Sequence, residues 1–329
     1  MKIFFILIQL ILLAAGYGVF FNQWVKPSSF PVFNILPLFF LIVFILNIFL
    51  LIFWWIYDRQ FALLFTFLSL GLILPLKNHI HIYGKPETQK SNLKVLSYNV
   101  RYFFDDADGI ISFLQDQEAD IILFQEMGPQ PEWVINNASK TKKYYFEEFS
   151  SLGIASKFPV IEAQMFRIKP YPLTYAYADI ALPNDTIRVI NFYLESLHLD
   201  QNAIKNTEIE SQIPGKSKYL LKKIITASTV HEKQVKEVRK IIKNSPYPVI
   251  VAGDMNAVPN SFEYFTLKRG LKDVFHTGGE GIATTFPGFK YPLRLDYIFV
   301  SERFKVKSHQ IFKVQHSDHY PVVAELELE

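Results

Sequence analysis

Ser317-Asp318-His319-Tyr320-Pro321-Val322, running into the largely apolar stretch 321–328, sets a carboxylate and an imidazole at the mouth of a buried strand. An Asp-His pair by itself is a common surface turn. Four stretches upstream carry the same signature: Leu96-Ser97-Tyr98-Asn99, Asp120-Ile121-Ile122-Leu123-Phe124-Gln125-Glu126, Gly253-Asp254-Met255-Asn256 and Arg294-Leu295-Asp296-Tyr297-Ile298-Phe299. Each is an apolar, strand-like run that ends in or carries a carboxylate, amide or imidazole. Side chains two apart on a strand share a face, so Asp254 and Asn256 are expected to project together beyond the run 248–252. Gly253 before them permits close backbone approach. Arg294 with Asp296, and Asn191 with Tyr193, pair in the same way. Hydrolysis of a phosphate ester needs a hard cation held by carboxylate oxygen, a group that positions and deprotonates water, and donors for the developing negative charge. Glu126 suits a metal ligand, Asp254 a water-orienting base, and Asn256 and Asn99 neutral donors to phosphate or ligand oxygen. His319 suits an imidazolium donor oriented by a carboxylate such as Asp296.

From Leu93 onward the chain alternates short apolar runs with turn signals. Strands are expected near 93–99, 119–125, 144–149, 152–156, 160–168, 175–182, 186–194, 248–253, 294–300, 306–314 and 320–328, and helices near 107–118, 131–140, 217–244 and 260–268. The 217–244 helix places Leu220, Leu221, Ile224, Ile225, Val235, Val238, Ile241 and Ile242 on one apolar face. Many strands with interspersed helices and no regular βαβ period predict an α/β (α+β) domain of two mixed sheets with helices outside.

The N-terminal part is a different material. Half of the 329 residues are hydrophobic, and the average hides three uncharged stretches, Ile3–Phe21, Phe30–Tyr57 and Gln60–Leu76. Runs near eighteen residues or longer match the hydrocarbon thickness of a bilayer, which predicts about three transmembrane helices. Trp24, Trp54, Trp55 and Tyr57 fall at their ends, where aromatic belts sit. The first run is longer than a signal-peptide core and further spans follow it. Residues 1–76 therefore read as a membrane anchor, 77–92 as a polar linker with Gly and Pro, and 93–329 as the catalytic domain. Lys2, Lys26, Arg59 and Lys77 alternate along the boundaries. Three spans with a cytoplasmic N-terminus predict an integral protein of a bacterial inner membrane with its catalytic domain on the extracytoplasmic side. The chain has no cysteine, so no disulfide framework bears on the compartment. A net charge of +3 is too small to argue nucleic-acid binding from the field alone. The lysines of 216–243 read as the solvated face of an amphipathic helix.

The ordered set SYN, QE, GDMN, RLDYIF and SDHYPV resembles the endonuclease/exonuclease/phosphatase superfamily over about residues 93–329, with smaller echoes at 153–159 and Thr285-Phe286-Pro287. The resemblance implies a four-layer sandwich of two mixed sheets flanked by helices. It also implies an Mg2+- or Mn2+-dependent phosphoesterase that acts by in-line water attack on a nucleic acid or phospholipid. In the family's terms, the positions matching Glu126 and Asp318 bind metal and that matching Asn99 helps position the metal site. The position matching Asp254 orients or deprotonates water, Asn256 contacts phosphate, and Asp296 orients His319. Where many members read Asn-x-His-Leu, this chain has Asn191-Phe192-Tyr193-Leu194. The AP-endonuclease branch also carries a tyrosine there, so Tyr193 is expected to donate to the phosphate in place of histidine, with Asn191 and Arg294 binding substrate. His198 is a nearby alternative donor. The rival reading is a membrane-tethered module that holds phosphorylated ligands without cleaving them. Glu126, Asp254, Asp296, Asp318 and His319 together speak for catalysis, because buried unpaired carboxylates are costly.

Overall fold

The computed structural model describes residues 1–81, 91–128, 131–140, 143–167, 174–196, 213–288 and 291–329. His198 and residues 82–90 of the linker lie outside the described residues. Helices α1 (Lys2–Gly18), α2 (Val32–Tyr57), α3 (Arg59–Ser69) and α4 (Ile73–Leu76) build three helical stretches long and apolar enough to cross a membrane: Lys2–Gln23, Phe33–Tyr57 and Arg59–Leu76. Phe4, Phe49, Ile56 and Phe67 are well over half exposed on their outer faces. Polar residues turn inward instead. Gln9 donates to Asn47 Oδ1 at 2.5 Å, and Asn47 donates to Ser69 Oγ at 3.0 Å, which clasps the three stretches through buried amides, as expected of polar side chains between apolar helices.

Two six-stranded sheets follow. The first has the order β13 (Phe304–Ile311), β14 (Val322–Leu328), β2 (Leu93–Asn99), β3 (Ile121–Gln125), β5 (Leu152–Ser156), β4 (Tyr145–Phe149). The second runs β10 (Lys272–Asp273), β12 (Asp296–Val300), β9 (Val249–Asp254), β8 (Thr186–Tyr193), β7 (Thr174–Ala181), β6 (Val160–Arg167). Each sheet contains one parallel pair, β2 with β3 and β8 with β9, so both are mixed.

The period of two along the strands decides the layers. Val95, Ile121, Leu123, Val189, Ile250, Ala252, Ile298 and Ala324 point inward and form the core between the sheets. The alternate residues Leu96, Tyr98, Ile122 and Phe124 face helices α5 (Ala107–Gln117) and α6 (Pro131–Asn137). On the other side Ile190, Phe192, Val251 and Phe299 face α7 (Ile213–Asn244) and α8 (Phe262–Lys268) through Val235, Val238, Ile242 and Leu267. This is the four-layer sandwich that the sequence implied. Leu221 on the proposed apolar face of α7 is 43% exposed, whereas Val235, Val238 and Ile242 are buried.

Residues 77–81, read from sequence as linker, are built into the catalytic domain. Asn78 and His79 are buried, and β1 (Ile80–His81) pairs with β11 (Gly281–Ile282) beyond the short helix α9 (Val274–Gly278). The centre of this junction is Asn260, fully buried with φ +68°. Its amide donates to Pro75 O at 3.1 Å, its Oδ1 accepts from Asn78, and its carbonyl accepts from Asn22 Nδ2 at 3.0 Å. Asn34 at the start of α2 accepts from Phe262 N at 2.9 Å and donates to the buried Glu263 at 3.1 Å. All three apolar stretches thus end on α8 and the turn before it.

Gly253 fixes how closely β9 approaches β8. Its φ is +150°, and a Cβ there would sit 1.9 Å from Phe192 O. Gly253→Ala is expected to cost more than about 3 kcal/mol of stability, since strain and overpacking add. Thermal unfolding of the detergent-solubilised protein checks this: the midpoint falls sharply, and an unchanged midpoint contradicts it.

Candidate active site

The inward faces of both sheets change from apolar to polar toward one end of the sandwich. Asn99, Gln125, Tyr193 and Asp254 close strands β2, β3, β8 and β9, while Asp296 opens the antiparallel β12 at the same end. Register pairs Asn99 with Gln125, Tyr193 with Asp254 and Asp254 with Asp296. The five sequence stretches therefore converge at one seam.

The first polar rung is structural. Asn191, fully buried on β8, donates to Phe124 O at 2.9 Å and Gly153 O at 3.0 Å, and accepts from Gln125 Nε2 at 2.8 Å. Its amide tacks sheet two to sheet one and has no hydrogen left for a substrate, which corrects its expected substrate-binding role. Gln125 and Ser97, whose hydroxyl lies 3.3 Å from Gln125 Nε2, complete this layer.

The second rung holds the reactive groups. Asn99 Nδ2 lies 3.1 Å from both Glu126 Oε1 and Asp254 Oδ2, and its Oδ1 accepts from Arg101 N at 3.1 Å. So oriented, Asn99 is a donor that ties the two carboxylates together. Tyr193 Oη donates to Glu126 Oε1 at 2.7 Å. Burial, then the charges of Glu126 and Asp254, push the phenol far above its ordinary range, so it keeps its proton and its donor role. Asn256, with φ +46°, donates through its backbone N–H to Asp254 Oδ1 at 2.8 Å. Its amide donates to Leu194 O at 3.0 Å and Asp254 Oδ2 at 3.2 Å. Asn256 thus orients Asp254, where the sequence suggested a contact to phosphate.

His319 Nδ1 meets Asp296 Oδ2 at 2.9 Å, and its Nε2 is 3.7 Å from Asp254 Oδ2, outside hydrogen-bond range. Burial alone would lower the His319 pKa, but the carboxylates of Asp296 and Asp254 outweigh it and hold the ring as imidazolium. Burial, reinforced by Asp296, holds Asp254 well above the usual carboxylate range against the pull of His319. Thr285 supports the pair: its Oγ1 accepts from Leu295 N at 2.9 Å and Asp296 N at 3.1 Å, and Phe286 packs 4.9 Å from the imidazole. Ser317 Oγ donates to Asn99 O at 2.9 Å, which joins the Asp318-His319 turn to β2. Thr285 and Ser317 were visible in the motifs but carried no signal of these bonds.

Arg294 is not brought to the site. Strand β12 begins at Asp296 rather than 294, and the Arg294 guanidinium is buried in a bidentate pair with Asp273 at 2.6 and 2.9 Å. Its expected substrate contact is replaced by a buried ion pair that braces the loop before Asp296.

Two groupings could take a divalent cation. The ligating atoms of Asp254, Asp296 and His319 lie within 4.8 Å of one another, but the imidazole is already bonded to Asp296. Glu126 offers hard carboxylate oxygen, and its Oε2 has no hydrogen-bond partner among the described residues. Asp318 lies close enough for the Glu126 charge to help burial raise its pKa, opposed by His319 and Arg101. Oxygen donors of this kind suit Mg2+ or Mn2+, so Glu126 and Asp318 fit the expected ion.

The chain belongs to the Endonuclease/Exonuclease/phosphatase family, whose sequence profile matches residues 96–319. It carries the fold of these phosphoesterases together with apolar N-terminal helices. No curated protein matches it by sequence. An endonuclease/exonuclease/phosphatase from Bacteroides vulgatus superposes with a TM-score of 0.54 at 19% identity, covering 73% of this chain and 100% of that one. D. rerio TDP2 complexed with single strand DNA product gives 0.54 at 19% identity, over 71% of this chain and 98% of that one. A Beutenbergia cavernae protein of the family gives 0.51 at 15% identity, over 73% and 72%. At such identities the likeness establishes the fold.

Tyr193 separates two roles. Because its hydrogen goes to Glu126, Tyr193→Phe is expected to weaken divalent-cation activation on the order of tenfold, the scale for losing a partner of a metal ligand. Saturating metal should restore most of the turnover. A loss that excess metal does not restore would return Tyr193 to the phosphate.

Proposed function

We propose that this chain is a membrane-anchored, divalent-metal-dependent phosphoesterase that hydrolyses a phosphodiester or phosphomonoester by in-line attack of water. The observation that carries the reading is the buried triple Asp254–His319–Asp296, a carboxylate held near neutrality beside an imidazolium that a second carboxylate orients. Both groups are displaced upward, the carboxyl toward neutrality and the imidazole above its ordinary range, which leaves a base and a proton-bearing donor side by side, as acid–base chemistry at neutral pH requires. Ionised Asp254 orients the water and takes its proton as the new P–O bond forms. Asn256 and Asn99 fix that carboxylate from two sides. The Nε2–H of His319, without a hydrogen-bond partner among the described residues, stabilises the charge developing on phosphorus-bound oxygen, and the P–O bond to the leaving group breaks. A cation held by Glu126 and Asp318, when bound, neutralises phosphate oxygen charge.

The membrane half of the proposal rests on the three apolar stretches and their exposed outer faces. If they span a bilayer, Met1 and the turn at Asp58 lie on the face opposite the catalytic domain, where Lys2 pairs with Asp58 at 2.7 Å.

The direct test is hydrolysis of bis(p-nitrophenyl) phosphate by the full chain in detergent, with Mg2+ or Mn2+ and then with chelator. Metal-dependent turnover abolished in Asp254→Asn is expected. Phosphate-ester binding without turnover would establish the tethered binding module instead. His319→Ala should lower turnover about a hundredfold, the scale for one transition-state donor.

The pH profile follows from the same groups. Activity rises as Asp254 loses its proton, above the ordinary carboxylate range, and falls as His319 loses its own, above the ordinary imidazole range. Asp296→Asn removes a charge that favours the imidazolium, so the alkaline limb should move to lower pH by roughly a unit or more. An alkaline limb that stays in place would remove His319 from the titration.

A further inference from the structure

We propose that the substrate is a phosphate ester carried by a lipid of the membrane that holds the chain; this rests on the phosphoesterase reading above. The apolar stretches are docked to the elements that carry the site by buried hydrogen bonds. Asp254 and Asn256 stand on the segment that ends at Asn260, and Asn260 is bonded to the exits of the first and third apolar stretches through Asn22, Pro75 and Asn78. Phe286 packs on His319, and Tyr291, five positions before Asp296, packs against Phe40 and Leu41 inside α2. Asn260 lies six positions after Asp254 and Asp296 five positions after Tyr291, so neither carboxylate is more than about 20 Å of extended chain from the membrane module. The headgroup layer itself is roughly 5–8 Å deep on each face. A lipid phosphate needs little displacement to reach these groups, and confinement to the same surface raises its effective concentration to the millimolar range, on the order reached by short linkers.

The rim of the site also argues for a lipid over a nucleic acid. A nucleic-acid groove presents cations to successive phosphates. Here Arg101, at the rim beside Asn99, is paired with Asp105 at 3.0 Å and Asp318 at 3.5 Å. Next to it stand exposed aromatic rings, Phe104 at 77% and Tyr102 at 39%, with centroids 5.5 Å apart. They are presented by a turn in which Arg101, Tyr102 and Phe103 all have positive φ, pinned where Tyr102 N donates to Glu126 O at 2.6 Å. An aromatic rim whose arginine is paired with two carboxylates suits an interface of headgroups and acyl chains.

The test uses the full chain reconstituted with Mg2+ in phosphatidylcholine vesicles that carry phosphatidylethanolamine, phosphatidylglycerol or phosphatidate. Parallel arms offer glycerophosphoethanolamine, glycerophosphoglycerol, glycerol 3-phosphate and a single-stranded DNA oligonucleotide. We expect at least one vesicle lipid to turn over about tenfold or more faster than its soluble counterpart and than the oligonucleotide. Soluble esters or DNA cleaved as fast or faster would overturn the inference. Hydrolysis of bis(p-nitrophenyl) phosphate without any of the lipids would overturn it while leaving the phosphoesterase reading; no hydrolysis of either would overturn both. Asn34→Ala and Asn260→Gly, which remove docking side chains and keep the backbone conformations, should lower the lipid-to-soluble ratio at least threefold with bis(p-nitrophenyl) phosphate turnover retained. An unchanged ratio in both would refute the aiming role of the docked module.

Discussion

The site depends on one carboxamide. Asn99 stands on sheet one, and its amide hydrogens reach Glu126 of its own sheet and Asp254 of the other. Two carboxylates brought near each other repel and lose hydration, and each such group is costly unless it is paired or hydrogen-bonded. The donors from Asn99, Tyr193 and Asn256 and the charge of His319 supply that compensation. Beneath them the Asn191–Gln125 rung keeps the sheets at a fixed spacing. A shift of either sheet would separate the proposed metal ligand from the proposed base.

The positions of the reactive groups were legible because strand periodicity is local. Counting by two from Val95 or Ile250 puts Asn99 and Asp254 on the inner face, as observed. What each amide does was not legible, because that depends on partners far away in sequence. Asn191 looks like a substrate ligand until Phe124 and Gly153 close over it. Arg294 looks like a neighbour of Asp296, but the chain turns between them as Leu295 and Asp296 bond Thr285, and the guanidinium goes to Asp273. Asn256 was read as a phosphate contact and Asn99 as part of the metal site, and the structure shows both donating to Asp254.

The junction with the apolar N-terminal helices was the least legible part. Polar residues such as Asn22, Asn34 and Asn78 sit at the ends of apolar stretches, where sequence alone suggests exposure to headgroups and water. Their partners, Asn260 and Glu263, lie on the other side of the fold's sequence, and burial of a polar group is tolerable only because both sides match. Glu263 is fully buried and bonded by Asn34 and His231. A flexible tether has no use for such bonds. The apolar stretches are joined to α8 and the turn before it by buried hydrogen bonds.

The central claim is that the strand ends around Glu126 form a divalent-metal centre, and it can be measured without knowing the substrate. Titration of Mn2+ into the full chain in detergent, followed by electron paramagnetic resonance of the free ion, reports binding directly. The account predicts a site in the wild type whose affinity falls at least about tenfold in Glu126→Gln, as a hard cation loses a charged oxygen ligand. Equal Mn2+ binding by Glu126→Gln and wild type, with both folded, would contradict it.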